Sequence, residues 1–192
     1  YKIIKIPVDE VGSLNLKELE QCLSKNTALV TVQHANSETG VIQNVQEISS
    51  ICRKADVLYH SDCVQTFCKI DVDTNLFDAV SVSGHKIYGP KGVGAIYVNK
   101  SIEFSPLIPA TKQERGVKAG TENVSGIAAF ATAAKLLYAE RTDEYIRIRD
   151  FKQSILNGLK ERNIEFYSES DINKTLTFIL GLRFKGIEGQ FL

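Results

Sequence analysis

The chain has 192 residues, of which 43% are apolar and 24% are charged, a composition typical of a globular protein. Its 23 basic and 23 acidic side chains give a formal net charge of zero, whereas a nucleic-acid or membrane-surface binder shows a basic excess. The longest stretch of low charge is interrupted by Lys135 and is too short to span a bilayer.

Cysteine usage and the two ends of the chain suggest its setting. Cys22, Cys52, Cys63 and Cys68 show no paired C-x-x-C spacing, which predicts buried thiols in a reducing compartment. No signal peptide is visible, so we expect a cytoplasmic protein, with an organelle as the alternative. The chain lacks methionine, opens mid-pattern and ends without a closing element, so we expect an internal piece of a longer protein.

The first half of the chain alternates between strand and helix patterns. The opening YKIIKIPV predicts a strand, and NLKELEQCL has apolar residues at helical spacing. Residues 45–55 predict a second helix with Ile48, Ile51 and Cys52 on one side. Further strands are predicted at 27–33, which should be buried on both faces, and at 57–62, 77–84 and 94–98. This order predicts an α/β fold with a mainly parallel sheet covered by helices.

The pattern changes in the second half. From about 123 to 160 it is helical, with two segments meeting near Arg141, and EFYS and TLTFILGLRF then read as strands of another layer. We place a domain boundary near residue 140. Residues 1–140 are then part of a large α/β domain, and residues 141–192 begin a smaller α+β domain.

Polar residues cluster after three successive predicted strands, in residues 34–40, 60–65 and 83–86. Functional groups gather at the carboxyl ends of strands in open α/β sheets. A single Asp at such a place is usually a helix cap, and a single Lys is usually solvated. The convergence of Asn, Asp, Gln, Ser, His and Lys on one rim therefore indicates a functional site.

Two stretches are similar to known binding motifs but lack residues that those motifs require. Gly84 and Gly89 have the spacing of a P-loop, but Pro90 stands where its Lys should be. DVDTNLFD is similar to a calcium loop, but Leu76 replaces the glycine of the sharp turn and Val82 replaces the final Glu. The histidines lack metal-ligand spacing and no thiolate cluster accompanies them, so we predict no metal site.

A fixed lysine, a buried acid and a phosphate-sized group of donors are what pyridoxal 5'-phosphate (PLP) requires. In a PLP site a lysine holds the cofactor as a Schiff base, and an aspartate keeps the pyridine nitrogen protonated. Serine and histidine side chains donate to the phosphate. We therefore predict PLP as the cofactor.

Four segments carry a family resemblance in the family's order and spacing. SGHKIYGPKGVGAIYV resembles the cofactor-lysine segment of cysteine desulfurases, within the class V aminotransferase group of fold-type I PLP enzymes. HANSETG, HSDCVQ and QERGVKAGTENVSGIAAF resemble further motifs of that family, so the resemblance covers nearly the whole chain. It implies the large PLP-binding domain followed by the start of the small domain. Selenocysteine lyases and other class V enzymes remain alternatives, as does a truncated or degenerate dimerisation domain without catalysis.

The resemblance implies roles for the residues at matching positions. Lys86 would form the Schiff base and later abstract the substrate Cα proton. Asp62 would pair with the pyridine nitrogen, and Gln65 would hydrogen-bond the phenolic oxygen of the ring. Ser83 and His85 would hold the phosphate.

Three more residues are implied at the edge of this site. Thr121 would reach the phosphate of the partner subunit's cofactor, which implies a homodimer. Ser37 stands where the family has the second Asn of its N-N-E-x-G loop, a residue that contacts the ring oxygen and the substrate. Because Ser is shorter, that contact would be lost, bridged by water or taken over by Asn36.

The implied reaction converts L-cysteine into L-alanine and passes sulfur as a persulfide toward a sulfur-acceptor protein, for iron–sulfur cluster or thio-cofactor synthesis. None of the four cysteines matches the family's acceptor, and a packing role is expected for Cys63. The acceptor cysteine and the substrate-carboxylate arginine are expected beyond Leu192, so the chain as given should be inactive alone. Two further departures are Ala110–Lys112 in place of a glycine-rich run and Lys118 in place of an arginine.

Overall fold

The computed structural model describes residues 2–103, 105–106 and 113–191. The secondary structure of this part consists of three helices, six strands and several short 3₁₀ turns. In chain order the helices and strands are α1 (Leu16–Cys22), β1 (Leu29–Gln33), α2 (Val45–Lys54), β2 (Leu58–Asp62), β3 (Ala79–Ser83), β4 (Gly94–Val98), α3 (Val124–Glu161), β5 (Phe166–Ser168) and β6 (Leu182–Phe184).

The main sheet has the strand order β1-β2-β3-β4. β1, β2 and β3 run parallel, because the connections between them are long enough to return the chain to the starting edge. β4 runs antiparallel to β3, since only residues 84–93 join the two strands. The prediction of an α/β fold with a mainly parallel sheet is confirmed.

Helices α1 and α2 begin at asparagine caps and cover one face of this sheet. The side chain of Asn15 accepts a hydrogen bond from the backbone of Glu18 at 3.0 Å, and Asn44 caps α2 in the same way. The predicted apolar side of α2 is confirmed, because Ile48, Ile51 and Cys52 are all buried. They pack with sheet residues of one face into the main core, which includes Leu19, Val30, Tyr59, Phe77 and Val80.

The opposite face of the sheet is more exposed than the sequence predicted. We expected β1 to be buried on both faces, but Val30 is buried while Leu29 is 52% exposed. The helices of the described core pack on one face only, and successive side chains of a strand point to opposite faces. The expectation for β1 was therefore wrong.

The opening run also differs from its prediction. Residues 2–7 form no strand, and the first pairing is an isolated bridge between Val8 and Leu14. A strand needs a row of hydrogen bonds to a neighbour as well as an alternating pattern. Among the described residues, this run receives the backbone N–H of Asn15 at the Pro7 carbonyl, 3.0 Å away, and no continuous pairing. Ile3 is accordingly 84% exposed.

The second half is organised by α3, a single helix of 38 residues. The break expected near Arg141 is absent, because no proline interrupts residues 124–161 and the two glycines of the helix lie near its ends. Residue 140 falls inside this helix, and the domain division there stays a prediction. Within the described ranges, no helix has the length and apolar character needed to cross a membrane.

Beyond α3, the chain forms a two-stranded antiparallel sheet. β5 lies within EFYS as predicted, but of TLTFILGLRF only Leu182–Phe184 is a strand, β6. The rest of that run is irregular because its backbone turns toward the loop after β1. There Leu176 donates a backbone hydrogen bond to the carbonyl of Gly40 at 2.7 Å.

A buried histidine follows β1 and joins it to the segment after β2. His34 is 4% exposed, and its Nδ1 atom lies 3.1 Å from Thr66 Oγ1 and 3.8 Å from Cys63 Sγ. Its backbone N–H donates to the Asp62 carbonyl at 2.8 Å. Burial lowers the pKa of His34 to about 4, so its imidazole is neutral at neutral pH.

We expect His34 to make folding sensitive to acid. Between pH 6.5 and about 4 the unfolded histidine binds a proton that the folded one does not, so stability is lost as the pH falls through this window. The loss from this group is at most about 3 kcal/mol. Urea unfolding of the complete protein and of His34→Gln at pH 7 and pH 4.5 measures it. The variant should lose less stability between the two pH values, and an equal loss in both proteins would contradict the assignment.

Candidate functional site

The parallel strands bring three polar segments to one edge of the sheet. Gln33, Asp62 and Ser81 stand opposite one another in register across β1, β2 and β3. Ser83 ends β3 two residues beyond Ser81 and faces the same side. The loop after β1, the residues after Asp62 and the turn after Ser83 therefore start at the same edge, which is where the sequence placed the site.

The turn after β3 carries the lysine singled out in the sequence. Residues Gly84–Ile87 form one turn of 3₁₀ helix, which ends at Tyr88 in the left-handed region with φ 64°. A Cβ on Gly89 would lie 2.9 Å from the Gly84 carbonyl oxygen, so only glycine permits this closure. The turn is consequently rigid, and it presents Lys86 as an exposed side chain.

An apolar anchor fixes the turn from below. Ile87 is fully buried and packs in a small cluster with Cys68 of the neighbouring segment and with Phe130 and Leu137 of α3. Packing against α3 thus holds Ile87, the residue that follows Lys86, in place. Lys86 itself has no acidic side chain within ion-pair distance among the residues that the structure describes. Its amine is available for a ligand.

Ser83 and His85 flank the first glycine of this turn and contact each other. Ser83 Oγ lies 2.7 Å from His85 Nδ1, and the hydrogen bond holds hydroxyl and imidazole together. His85 is exposed and Ser83 is half-buried. The pair forms a local group of polar hydrogen-bonding atoms beside Lys86, of the kind that binds a phosphate.

Asp62 ends β2 and is exposed, where we expected a buried acid, because it lies on the sheet face that α1 and α2 do not cover. Its Oδ1 atom accepts the backbone N–H of Val64 at 2.9 Å, and no described residue forms a hydrogen bond with Oδ2. The turn that follows is anchored by Cys63 and Thr66, both fully buried, and it leaves Gln65 half-buried between them. One carboxylate oxygen is thus fixed by the backbone while the other is available for a cationic N–H group.

The row of residues beside Asp62 contains a histidine that the sequence analysis did not assign. His60 lies between Thr31 of β1 and Ser81 of β3, with Nδ1 2.7 Å from Thr31 Oγ1 and Nε2 3.1 Å from Ser81 Oγ. Burial lowers the pKa of His60, and the negative charge of Asp62 acts in the opposite direction. A polar row across three strands therefore supports the sheet face on which Asp62 stands. The H-x-D spacing, which places both residues on one face of a strand, was the available signal.

A second lysine lies near Lys86 without having been singled out. Burial, and then the positive charge of Lys86, lower the pKa of Lys69. The Lys69 amine lies 5.6 Å from the centre of the Phe178 ring, a cation–π contact with the segment after α3. No pattern in the sequence marks this proximity, because it arises from tertiary packing.

The loop after β1 is closed by its own asparagine. Asn36 Oδ1 accepts the backbone N–H groups of Glu38 and Thr39, each at 2.9 Å. Ser37, next to it, is exposed. Because the Asn36 carbonyl oxygen is engaged within the loop, only its Nδ2 group is left to take over a contact that Ser37 is too short to make.

Thr121 and Lys118, which the sequence analysis singled out, lie away from the strand ends. Thr121 is exposed in the segment that precedes α3, and no hydrogen bond of the described residues joins it to Lys86 or Asp62. Lys118 is also exposed, and its amine is 3.4 Å from the Ala119 carbonyl. The departure at 110–112 lies outside the described residues.

The three buried thiols are not suited to nucleophilic chemistry. Cys52, Cys63 and Cys68 are buried, as predicted, and Cys22 is half-buried. Burial raises the pKa of Cys63 and Cys68, and that of Cys52 to about 11, so these three thiols are protonated at neutral pH. In the described ranges no three His, Cys, Asp or Glu side chains gather as a metal site.

Comparison with known proteins agrees with this geometry. The sequence model of the family described as Aminotransferase class-V matches residues 1–191. A putative cysteine desulfurase NifS from Bacillus subtilis (strain 168) is 40% identical over 196 residues, which cover 100% of this chain and 50% of that protein. Among solved structures, a NifS-like protein matches with a TM-score of 0.93 and 34% identity, over 100% of this chain and 53% of that one.

A third comparison concerns a liganded structure. SspA in complex with cysteine matches with a TM-score of 0.77 and 29% identity, over 94% of this chain and 50% of that one. The chain spans about half the length of the curated relatives it matches. The shared region contains both the strand-end residues and α3.

Proposed function

The chain belongs to the class V aminotransferase family, and we propose that the complete protein is a PLP-dependent cysteine desulfurase. Enzymes of this family depend on PLP. Relatives that match over nearly the whole of this chain carry the name cysteine desulfurase, and SspA was solved with cysteine bound. The observation that carries the proposal is an exposed lysine on a rigid turn, at the same sheet edge as an exposed aspartate.

The strand-end residues fit PLP by the chemistry of their side chains. Lys86 offers a primary amine to an aldehyde, and Asp62 offers a carboxylate oxygen to a protonated ring nitrogen. Ser83 and His85 offer a hydroxyl and an imidazole, already hydrogen-bonded to each other, to a phosphate. Gln65 offers an amide to a phenolic oxygen. When bound, PLP supplies an electron sink for the bonds at the substrate Cα.

Lys86 and Asp62 would have separate roles in the reaction. Lys86 would hold the cofactor through its amine and would serve as the base for the substrate Cα proton. Asp62 would hold the proton on the ring nitrogen through the carboxylate oxygen that no described residue hydrogen-bonds. Because the Lys86 turn is fixed by backbone contacts and by Ile87, the fold sets the position of this base.

Sulfur transfer requires a thiol that is not among the three buried ones. The Cβ–S bond of cysteine breaks, the sulfur forms an S–S bond with an acceptor thiolate, and protons complete alanine on the carbon side. Cys52, Cys63 and Cys68 are buried and protonated, so we place the acceptor elsewhere in the complete protein. A sulfur-acceptor protein, iron–sulfur cluster synthesis and a cytoplasmic location belong to the same proposal.

A homodimer is also part of the proposal, with Thr121 at the phosphate of the partner's cofactor. Exposed apolar side chains along α3 support an association of this helix, among them Val124 at 72%, Leu136 at 57% and Phe151 at 54% exposed.

We expect Lys86→Ala to lower cysteine turnover by a factor of about 10² to 10⁴ or more, because it removes both the cofactor amine and the base. The measurement is release of sulfide and alanine by the complete protein with PLP, cysteine and a reductant. Lys91→Ala, an exposed lysine of the same connection, is the matched control and should keep wild-type turnover. Wild-type turnover in Lys86→Ala would refute the assignment. Selenocysteine as the preferred substrate would instead identify a selenocysteine lyase, and an inactive wild type a non-catalytic domain.

We expect Asp62→Asn to lower kcat by about 10²-fold while leaving stability unchanged. The variant removes the charge that stabilises a protonated ring nitrogen. Its amide oxygen can still accept the Val64 N–H, so the local turn is kept. Steady-state kinetics and thermal unfolding of the complete protein give the two quantities. A kcat equal to that of the wild type would show that Asp62 does not face the ring nitrogen.

A further inference from the structure

Lys152 of α3 is a buried lysine without an acidic partner. Lys152 is only 8% exposed, whereas lysines are almost never buried unless paired. Its amine donates to Thr175 Oγ1 at 2.8 Å and to the Ile179 carbonyl at 3.1 Å. No carboxylate lies within ion-pair distance among the residues described. Neutral oxygens alone therefore hold this amine, and burial lowers its pKa.

The two oxygens belong to one irregular segment, residues 170–181, which we call the clamp segment. Thr175 Oγ1 donates its own proton to the Ile172 carbonyl at 2.9 Å, so it is oriented to accept from Lys152. Further along, the backbone N–H of Ile179 donates to Leu176 at 3.0 Å. Lys152 thus links Thr175 and Ile179, two residues of the clamp segment that lie outside any helix or named strand.

The clamp segment in turn holds the loop after β1, residues 36–40. Leu176, which is 1% exposed, donates its backbone N–H to the Gly40 carbonyl at 2.7 Å, and Ser170 Oγ donates to the Thr39 carbonyl at 2.9 Å. A Cβ on Gly40 would lie 3.1 Å from Ile179 and 3.2 Å from Thr175. The clamp segment therefore packs closely against Gly40, at one end of the loop. Asn36 and Ser37 lie at the other end.

One helix therefore supports both sides of the candidate site. The first half of α3 packs through Phe130 and Leu137 on Ile87, beside Lys86. Lys152, in its last third, fixes the clamp segment behind residues 36–40. We propose that Lys152 is a positioning residue that sets the placement of residues 36–40 relative to Lys86, and so determines substrate affinity rather than cofactor attachment. This inference rests on the proposed function.

The test is Lys152→Met in the complete protein. We expect KM for cysteine to rise about tenfold, the size expected for losing hydrogen bonds to a charged group. The dissociation constant for PLP should rise by a smaller factor than KM, because the Lys86 turn, Asp62 and the Ser83–His85 pair are held by contacts that Lys152 does not make. Amide hydrogen exchange in the PLP-free protein should accelerate at two backbone N–H groups that join the clamp segment to the chain after β1. These are Ile42, which donates to the Lys174 carbonyl at 3.4 Å, and Leu176, which donates to the Gly40 carbonyl. Lys135→Met, an exposed lysine of the same helix, should leave all three quantities unchanged.

Thr175→Val provides a near-isosteric second variant that removes the acceptor of the Lys152 amine. It should raise KM in the same direction, and the two substitutions together should cost less than the product of their separate effects. If Lys152→Met does not fold, Thr175→Val and its amide exchange carry the test.

Unchanged KM and unchanged exchange in the folded variants would overturn the proposal, as would an equal weakening of PLP and cysteine binding. Absence of turnover in the wild type would count against the proposed function alone. The exchange measurement needs no turnover and would still support or overturn the clamp.

Discussion

The site depends on the close contact between the backbone of the Lys86 turn and the strands on either side of it. A Cβ on Gly94 would lie 2.6 Å from the Val82 carbonyl oxygen, and one on Gly89 would lie 2.9 Å from that of Gly84. The chain can leave β3, make one turn and return as antiparallel β4 only because glycine occupies these positions. These close contacts hold the backbone at Lys86 in place, and the amine extends from it.

The rest of the site is arranged around that fixed point by elements that are distant in sequence. β2 brings Asp62 to the same edge, and the polar row through His60 stabilises the face on which it stands. α3 then contributes twice, with apolar packing beside the Lys86 turn and with the Lys152 amine behind residues 36–40. Packing sets the position of the lysine, and hydrogen bonds set the position of the loop opposite it.

Much of the fold and the location of the site could be predicted from sequence, since these follow from local patterns. The asparagine caps of α1 and α2, the apolar face of α2 and the strand ends that carry Asp62 and Ser83 are all readable within a few residues. The opening run was misread because alternation indicates a strand only where a neighbour supplies hydrogen bonds. The break expected near Arg141 is absent because no proline or glycine interrupts the middle of α3.

What could not be predicted are contacts between distant residues. Lys152 and Thr175 are 23 positions apart, and nothing in either local sequence marks the pair. The same holds for Lys69, whose lowered pKa reflects burial and the nearby charge of Lys86. A lysine placed by tertiary structure looks like any surface lysine in the sequence.

The proximity of these two lysines provides the most direct test of the central claim, that Lys86 is the residue that binds PLP covalently. The complete protein is loaded with PLP and reduced with borohydride, and after proteolysis the labelled peptide is identified by mass spectrometry. The account predicts a pyridoxyl adduct on Lys86, with Lys69 unmodified. An adduct on Lys69 or on any other lysine in place of Lys86 would contradict it.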